Sequence, residues 1–157
     1  MKSKNFFNIV LFEPEIPQNT GNIARMCVAN DLHLHLIEPL GFKLEDKYLK
    51  RSAMDYWPYL NYTVHKSWSD FLNSADLSLN RLFFFTSYAT KSYWDIEYKT
   101  GDYLVFGSES RGYSPEIFEK FKEDMYLVPM SSVNARCLNL ASTAQTVYYE
   151  AFRQSLQ

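Results

Sequence analysis

The feature that most constrains the fold is the alternation of short apolar runs with amphipathic segments along the whole chain. Runs with strand character lie at residues 9–12, 32–37, 82–85, 103–106 and 126–128, and a weaker one at 62–65. Chains that alternate strands with helices form α/β domains in which a mostly parallel sheet is covered by helices. We predict this α/β fold, as a single domain, for residues 1–157.

Capping residues and apolar spacing place the helices between these runs. Asn19 or Thr20 is expected to cap the first helix, and Ser114, followed by Pro115, is expected to begin a later one. The last helix is predicted from apolar residues that recur at helical spacing: Leu140, Ala144, Val147, Tyr148 and Ala151.

Composition argues against a generally basic nucleic-acid-binding surface. The formal net charge is -2, so any RNA binding must be local. A candidate patch is formed by Lys43, Lys47, Lys50 and Arg51 within a predicted short helix, although such a run is also typical of a solvated face. The chain has 12 Tyr and 12 Phe, which fit either a bulky core and a subunit interface or a stacking surface.

Metal, redox and membrane functions are not favoured by the sequence. Cys27 and Cys137 both lie in apolar surroundings and are expected to be packed inside. His33 and His35 fall on one face of a predicted half-exposed strand, and a zinc site would need further ligands. With no leader-like or membrane-spanning apolar segment, the expected location is the cytoplasm.

Three loops are candidates for a ligand site, because ligands of open α/β sheets bind beyond the carboxyl ends of the strands. They are residues 86–88, residues 107–112 and the segment after Pro129. The turn after the first strand, residues 13–19, lacks the glycine-rich dinucleotide fingerprint. Gly107 permits close backbone approach to a ligand, but it is equally typical of a plain turn.

Three blocks, residues 13–25, 106–112 and 127–151, together resemble the SPOUT superfamily of RNA methyltransferases, and the resemblance covers nearly the whole chain. It is closest to the single-domain branch that methylates the ribose of the tRNA wobble nucleotide. The resemblance implies a C-terminal deep trefoil knot, a homodimer and tRNA as partner. It also implies S-adenosylmethionine as cofactor, S-adenosylhomocysteine as product, and transfer to the 2'-hydroxyl of a cytidine or modified uridine.

The same resemblance assigns roles to residues. It implies catalytic roles for Arg25, Arg136 and Tyr149. The cofactor would be bound by Phe85, Thr86, Gly107, Glu109, Val128, Cys137 and Leu138. The RNA would be bound by Asn19, Arg25, Arg111, Arg136 and Asn139. Because a guanidinium stays protonated at neutral pH, Arg25 is expected to position phosphate and stabilise a developing alkoxide rather than act as a base.

Cys137 and Ala141 depart from the pattern, because they stand where similar proteins place hydroxyls, and Gln18 stands where they commonly carry proline. Backbone contacts to the cofactor survive such changes, whereas hydroxyl contacts do not. Two alternatives therefore accompany the tRNA hypothesis. One is 2'-O-methylation of ribosomal RNA, and the other is a non-catalytic RNA- or nucleotide-binding module with the same fold.

Overall fold

The protein, described here for residues 7–157 by a computed structural model, is built around a seven-stranded sheet. Every strand pair in it is parallel. The strands are β1 (Asn8–Phe12), β2 (His33–Ile37), β3 (Asn61–His65), β4 (Leu82–Phe85), β5 (Lys91–Ser92), β6 (Tyr103–Phe106) and β7 (Met125–Leu127). The predicted α/β fold with a parallel sheet flanked by helices is confirmed.

Helices cover both faces of the sheet. They are α1 (Pro17–Ala29), α2 (Lys47–Ala53), α3 (Trp68–Ser74), α4 (Pro115–Phe121) and α5 (Leu140–Ser155), with short 3-10 helices at Met54–Tyr59, Tyr93–Asp95 and Lys122–Asp124. Helices α1, α2 and α5 pack on one face, and α3 and α4 pack on the other. Side chains of alternating strand residues therefore enter two separate apolar layers, each sealed by its own helices.

Strand order places the loops that matter at one edge of the sheet. The order is β3-β2-β1-β6-β4-β7-β5. Leu11 and Phe85 both pair with Phe106, so the carboxyl ends of β1, β4 and β6 are level. Since β7 lies between β4 and β5, the connection at residues 86–90 crosses β7.

Most predicted elements are present, with shifted boundaries. Ser114 caps α4 by accepting from the Ile117 amide at 3.3 Å, as expected. The first helix is present, but its predicted cap was wrong: α1 begins at Pro17, and its N-cap, Ile16, offers no side-chain bond. Asn19 therefore lies in the first turn rather than before it. The runs at 32–37 and 126–128 each shift by one residue, and the two-residue β5 was not predicted.

Two side-chain environments differ from expectation. Cys27 is buried as predicted, but Cys137 is exposed, because residues 129–139 form an irregular segment on the surface. Strand β2 is not half-exposed: after the partly exposed His33 its residues are buried, because side chains of the covering layers pack on both faces of the sheet.

Residues 7–157 contain neither a cluster of metal-ligating side chains nor a helix that could cross a membrane. No group of three or more His, Cys, Asp or Glu is arranged to hold a metal ion in that range. No helix within the same residues is long and apolar enough to cross a membrane. Residues 1–6, which contributed to the expectation of no leader segment, lie outside the described range.

Candidate active site

A cleft of about 510 Å³ opens at the carboxyl edge of the sheet, where the three predicted loops meet. Its walls come from the loops after β4, β6 and β7 and from the first turns of α1 and α5. The lining residues are Ile16, Asn19, Phe85, Thr86, Ser87, Tyr88, Phe106, Gly107, Ser108, Glu109, Ser110, Arg111, Gly112, Tyr113, Val128, Met130, Arg136, Cys137, Leu138, Asn139, Leu140 and Thr143. The spacing of the strand ends thus brings together side chains that are far apart in sequence.

Glu15 fastens the loop after β1 to the loop after β6. Its carboxylate accepts hydrogen bonds from the hydroxyls of Ser108 and Ser110 and, at 3.1 Å, from the Ser110 amide. These donors, with Ser108 first, lower the pKa of Glu15 to about 2. The carboxylate is therefore charged at neutral pH, and Arg111 lies 3.8 Å from it.

The backbone on both sides of Glu15 is held in a constrained shape. Glu13 has a φ of 48°, a left-handed conformation that is uncommon for a residue with a side chain. A Cβ on Gly41 would lie 2.6 Å from the Glu15 carbonyl oxygen, so only glycine fits there. The Gly41 amide donates to the Pro14 carbonyl at 2.9 Å. The turn is thus fixed from the β2 side as well.

Glu109 provides the cap that α1 lacks locally. Its carboxylate accepts from the amides of Glu15 at 2.9 Å and Ile16 at 2.7 Å, and from the Asn19 side chain at 3.3 Å. A negative charge at a helix N-terminus satisfies free amides and interacts favourably with the helix dipole. Glu109 therefore organises the cleft wall, with its charge directed at α1.

Two asparagines extend this network to α5. The side-chain nitrogen of Asn139 donates to the side-chain oxygen of Asn19 at 2.9 Å. The Asn139 side-chain oxygen accepts from the amides of Ala141 and Ser142, which makes it the N-cap of α5. The starts of α1 and α5 are thereby joined through side chains that line the cleft.

Gly107 stands where the loop after β6 folds back on itself. The amide of Ser108 donates to the Gly112 carbonyl at 2.9 Å, and the Gly112 amide returns a bond of 2.8 Å. A Cβ on Gly107 would lie 2.9 Å from the Gly112 carbonyl carbon. Because backbone cannot yield as a flexible side chain does, this glycine is required by the turn, and it also lines the cleft.

Tyr113 holds the floor of the cleft. Its buried hydroxyl lies 3.0 Å from the Phe85 carbonyl and 2.8 Å from the Val105 carbonyl, and it accepts from the Phe85 amide at 3.2 Å. Burial raises the pKa of Tyr113, so the hydroxyl stays protonated as a donor. Strands β4 and β6 are thus linked directly beneath the cleft.

The cleft brings together eleven of the residues named from the sequence. The cofactor group Phe85, Thr86, Gly107, Glu109, Val128, Cys137 and Leu138 all line it, as do Asn19, Arg111, Arg136 and Asn139. Within residues 7–157 no carboxylate lies within salt-bridge distance of Arg136, so its charge is available to an anionic ligand.

Arg25 and Tyr149 lie outside this cleft. Arg25 is exposed on α1, and its guanidinium carbon lies 5.9 Å from the centre of the Tyr56 ring. The Tyr149 hydroxyl accepts from the Asn30 side chain at 3.2 Å, at the far end of α1. Tyr149 lies about 14 Å along α5 from Leu140, the first residue of that helix.

Sequence reasoning missed several residues that shape the cleft. Glu15 accepts hydrogen bonds from Ser108 and Ser110 across up to 95 positions, and Tyr113 donates to Val105 across 8, so no local sequence pattern predicts these pairs. The usable signal for Glu15 was its place in a predicted strand-to-helix turn at the same sheet edge.

A parallel α/β sheet with a loop-built cleft at its carboxyl edge defines a ligand-binding α/β domain. The sequence profile of the SpoU rRNA methylase family matches residues 7–149, and the chain belongs to that family.

Similar proteins span almost the same length. A tRNA (cytidine(34)-2'-O)-methyltransferase of Burkholderia cenocepacia (strain HI2424) is 43% identical over 150 residues, which cover 95% of this chain and 96% of the relative. One of the same name from Saccharophagus degradans is 46% identical, covering 94% and 95%. A solved structure described by the words "2-OH methylation of C/U34 on tRNA" matches with a TM-score of 0.90 and 41% identity, covering 96% of each chain.

Proposed function

We propose that this protein transfers a methyl group from S-adenosylmethionine to the ribose 2'-hydroxyl of the tRNA wobble nucleotide, a cytidine or modified uridine. The observation that carries the proposal is the cleft assembled from three loops, in a chain 43% to 46% identical over nearly its full length to enzymes named for that reaction. Ribosomal RNA is the alternative substrate, because the family profile bears an rRNA name.

The cleft suits this cofactor in size and chemistry. Its volume of about 510 Å³ lies within the range of small-molecule sites. Phe85, Val128 and Leu138 offer apolar surface to a flat base, and Gly107 admits close backbone contact. When bound, the cofactor supplies an electrophilic methyl group.

The protein's own groups would align and polarise the ribose. The hydroxyl must be held in line with the methyl group, and its proton must leave as the new bond forms. Arg136, at the cleft wall, has the fixed positive charge needed to hold a phosphate or stabilise a developing alkoxide. Arg111 shares its charge with Glu13 and Glu15, at 3.6 and 3.8 Å, and is less available.

A homodimer would bring Arg25 and Tyr149 into a site. Both lie on exposed faces of adjacent helices, outside their own protomer's cleft. Tyr149 is 45% exposed, and the irregular segment before α5 exposes Val133 and Leu138. Apolar and aromatic side chains of this kind favour association. We therefore propose that these faces meet a second copy and that Arg25 and Tyr149 act at a shared centre.

The proposal includes the overall organisation implied by the family resemblance. A C-terminal trefoil knot is supported by β7, which lies between β4 and β5 beneath the crossing connection at residues 86–90. We further propose that residues 1–157 form one domain that acts in the cytoplasm, where tRNA is modified.

Methyl transfer from labelled S-adenosylmethionine to total bacterial tRNA tests the proposed reaction. The expected product is one 2'-O-methylated nucleoside located at the wobble position after nuclease mapping. Ribosomal RNA in a parallel reaction tests the alternative substrate. Absence of any 2'-O-methylated product at saturating cofactor would count against the proposal.

Calorimetry separates the enzyme from a non-catalytic module, an alternative motivated by Cys137 and Ala141. We expect S-adenosylmethionine to bind the wild type and to lose most of its affinity for Gly107→Ala, because the added Cβ would displace the Gly112 backbone. Ser155→Ala, at the far end of α5, is the control. No measurable binding to the wild type would favour the module.

A further inference from the structure

Helix α2 concentrates positive charge in a chain that is acidic overall. It carries Lys47, Lys50 and Arg51 and no acidic residue, whereas the whole chain has a formal net charge of -2. The three side chains are exposed. Asp46, just before the helix, directs its carboxylate to the amides of Tyr48 and Leu49 as the N-cap. The basic face therefore remains available to an anionic partner.

Exposed aromatic rings interleave with these cations. Lys47 lies 5.0 Å from the centre of the Tyr48 ring, and Arg25 of α1 lies 5.9 Å from that of Tyr56. In the 3-10 helix after α2, the ring of the partly buried Trp57 lies with its centre 5.1 Å from that of the Tyr62 ring on the edge strand β3. Basic groups that alternate with exposed rings are typical of surfaces that bind single-stranded nucleic acid.

A second cleft, of about 660 Å³, lies within this region. It is lined by Lys50, Arg51, Met54, Asp55, Trp57 and Pro58. Two cations at its wall suit phosphates, and the Trp57 ring offers a stacking face. Asp55, the one acid in the lining, can accept a hydrogen bond from a base amino group or a ribose hydroxyl.

Close packing connects this region to the candidate active site. A Cβ on Gly21 of α1 would lie 2.4 Å from the Ser52 Cβ and 2.7 Å from the Leu49 carbonyl, so the two helices touch. Helix α1 begins at the active-site cleft and carries Arg25 about 9 Å further along its axis than Asn19. A strand of RNA that leaves the cleft along α1 meets α2 next.

We propose that this α2 surface, formed by Lys47, Lys50, Arg51, Tyr56 and Trp57, binds unpaired nucleotides flanking the methylated one. Lys50 and Arg51 contact phosphates, and Trp57 stacks on a base. This inference rests on the proposed function, because it assumes an RNA substrate, and it adds a substrate-binding surface outside the cofactor cleft.

Salt-dependent binding of total tRNA, measured by fluorescence anisotropy, tests the surface. Lys50→Gln/Arg51→Gln removes two cations, and Lys66→Gln/Lys120→Gln makes the same charge change elsewhere, in the turn between β3 and α3 and on α4. Each phosphate contact to a single strand contributes about 0.7 to the slope of log affinity against log salt, so the first variant should lower that slope by about 1.4. The control pair should leave it unchanged.

A ring variant distinguishes stacking from charge. Trp57→Leu keeps an apolar side chain against the core and removes the stacking face, so we expect about tenfold weaker binding at an unchanged salt slope. Both α2 variants should bind an unstructured oligouridylate more weakly than the wild type does. Their loss of affinity for a duplex RNA of equal length should be smaller. Circular dichroism checks that each variant is folded. If Trp57→Leu does not fold, the charge variants still test the surface.

The outcomes separate this inference from the proposed function. The proposed surface is supported if the wild type methylates tRNA and the α2 variants show an increased KM for tRNA. The α2 variants should bind S-adenosylmethionine as the wild type does. Equal loss in the α2 and control pairs, or loss confined to duplex RNA, overturns it. A wild type that binds tRNA through α2 but yields no methylated product contradicts the proposed function while leaving the surface intact.

Discussion

At the residue scale, the Asn139 side chain makes two distinct sets of hydrogen bonds. Its side-chain oxygen caps α5, and its amide nitrogen donates to Asn19 in the cleft wall. The resemblance placed both asparagines in the RNA site, whereas their observed bonds are made within the protein. The block pattern indicated which residues are close, but it could not report how their hydrogen bonds are shared.

Two substitutions of Asn139 distinguish its cap of α5 from its hydrogen bond to Asn19. Asn139→Ala loses the cap and the bond to Asn19, and should lower the free energy of unfolding by about 1–2 kcal/mol in urea titrations. Asn139→Asp keeps a capping oxygen but not the donor, so it should lose less stability. Equal destabilisation by both variants would contradict the assigned cap.

Arg25 provides the second residue-scale prediction. Arg25→Ala should lower methyl transfer about 100-fold, the cost of removing a group that stabilises transition-state charge, and leave the calorimetric affinity for S-adenosylmethionine nearly unchanged. Arg25→Lys keeps the positive charge without the guanidinium fork, so its rate of methyl transfer should lie between those of the wild type and Arg25→Ala. Equal loss of turnover and cofactor binding in Arg25→Ala would refute the role.

At the element scale, elements marked by their own residues were predictable, and features fixed by residues distant in sequence were not. The apolar spacing of residues 140–151 predicted α5, and Ser114 predicted the start of α4. The start of α1 was not predictable, because its cap is the Glu109 carboxylate from another loop. Strand β5 has two residues and is defined by its pairing with β7, so it leaves no pattern in the sequence.

The contact between α1 and α2 depends on Gly21. In a helix, alanine is favoured over glycine by about 1 kcal/mol. The added Cβ would however meet the Ser52 Cβ and the Leu49 carbonyl at 2.4 and 2.7 Å, and overpacking costs about 1–3 kcal/mol. We expect Gly21→Ala to lower the thermal midpoint. Asn22→Ala, an exposed neighbour, should not; a stabilised Gly21→Ala protein would contradict the packing.

Stacked histidines on β2 and β3 should make stability pH-dependent. Burial, with His33 and His65 nearby, lowers the pKa of His35 to about 3. The folded state then binds fewer protons than the unfolded chain below pH 6.5, so stability falls as pH falls toward 3, by up to about 1.4 kcal/mol per pH unit per histidine.

Urea titrations between about pH 7 and 5.5 measure this loss before Glu15 contributes, because the Glu15 carboxyl takes up protons in the unfolded chain only as the pH approaches 4.5. His35→Gln keeps a polar side chain beside Asn8 and His65 and should show a shallower loss. The remaining slope would come from His33 and His65, whose pKa values burial also lowers. Identical pH slopes for wild type and variant would contradict this account.

At the scale of the whole molecule, the fold class could be predicted from the sequence, but the order of the strands in the sheet could not. Alternating strands and helices predicted a covered parallel sheet, and the rule for ligand sites selected the three loops that meet at the cleft. Local patterns do not encode which strands are neighbours, so the position of β7 between β4 and β5 was not predictable from them. The sequence also could not predict how Arg25 and Tyr149 reach one site, because the proposed shared centre requires a second copy of the chain.

The most direct test of the central claim is mass spectrometry of wobble nucleotides in tRNA from cells that lack this protein. The account predicts loss of one 2'-O-methyl group at that position, restored by the wild-type protein and not by Arg25→Ala. An unchanged wobble methyl group, with no other methyltransferase able to supply it, would contradict the claim.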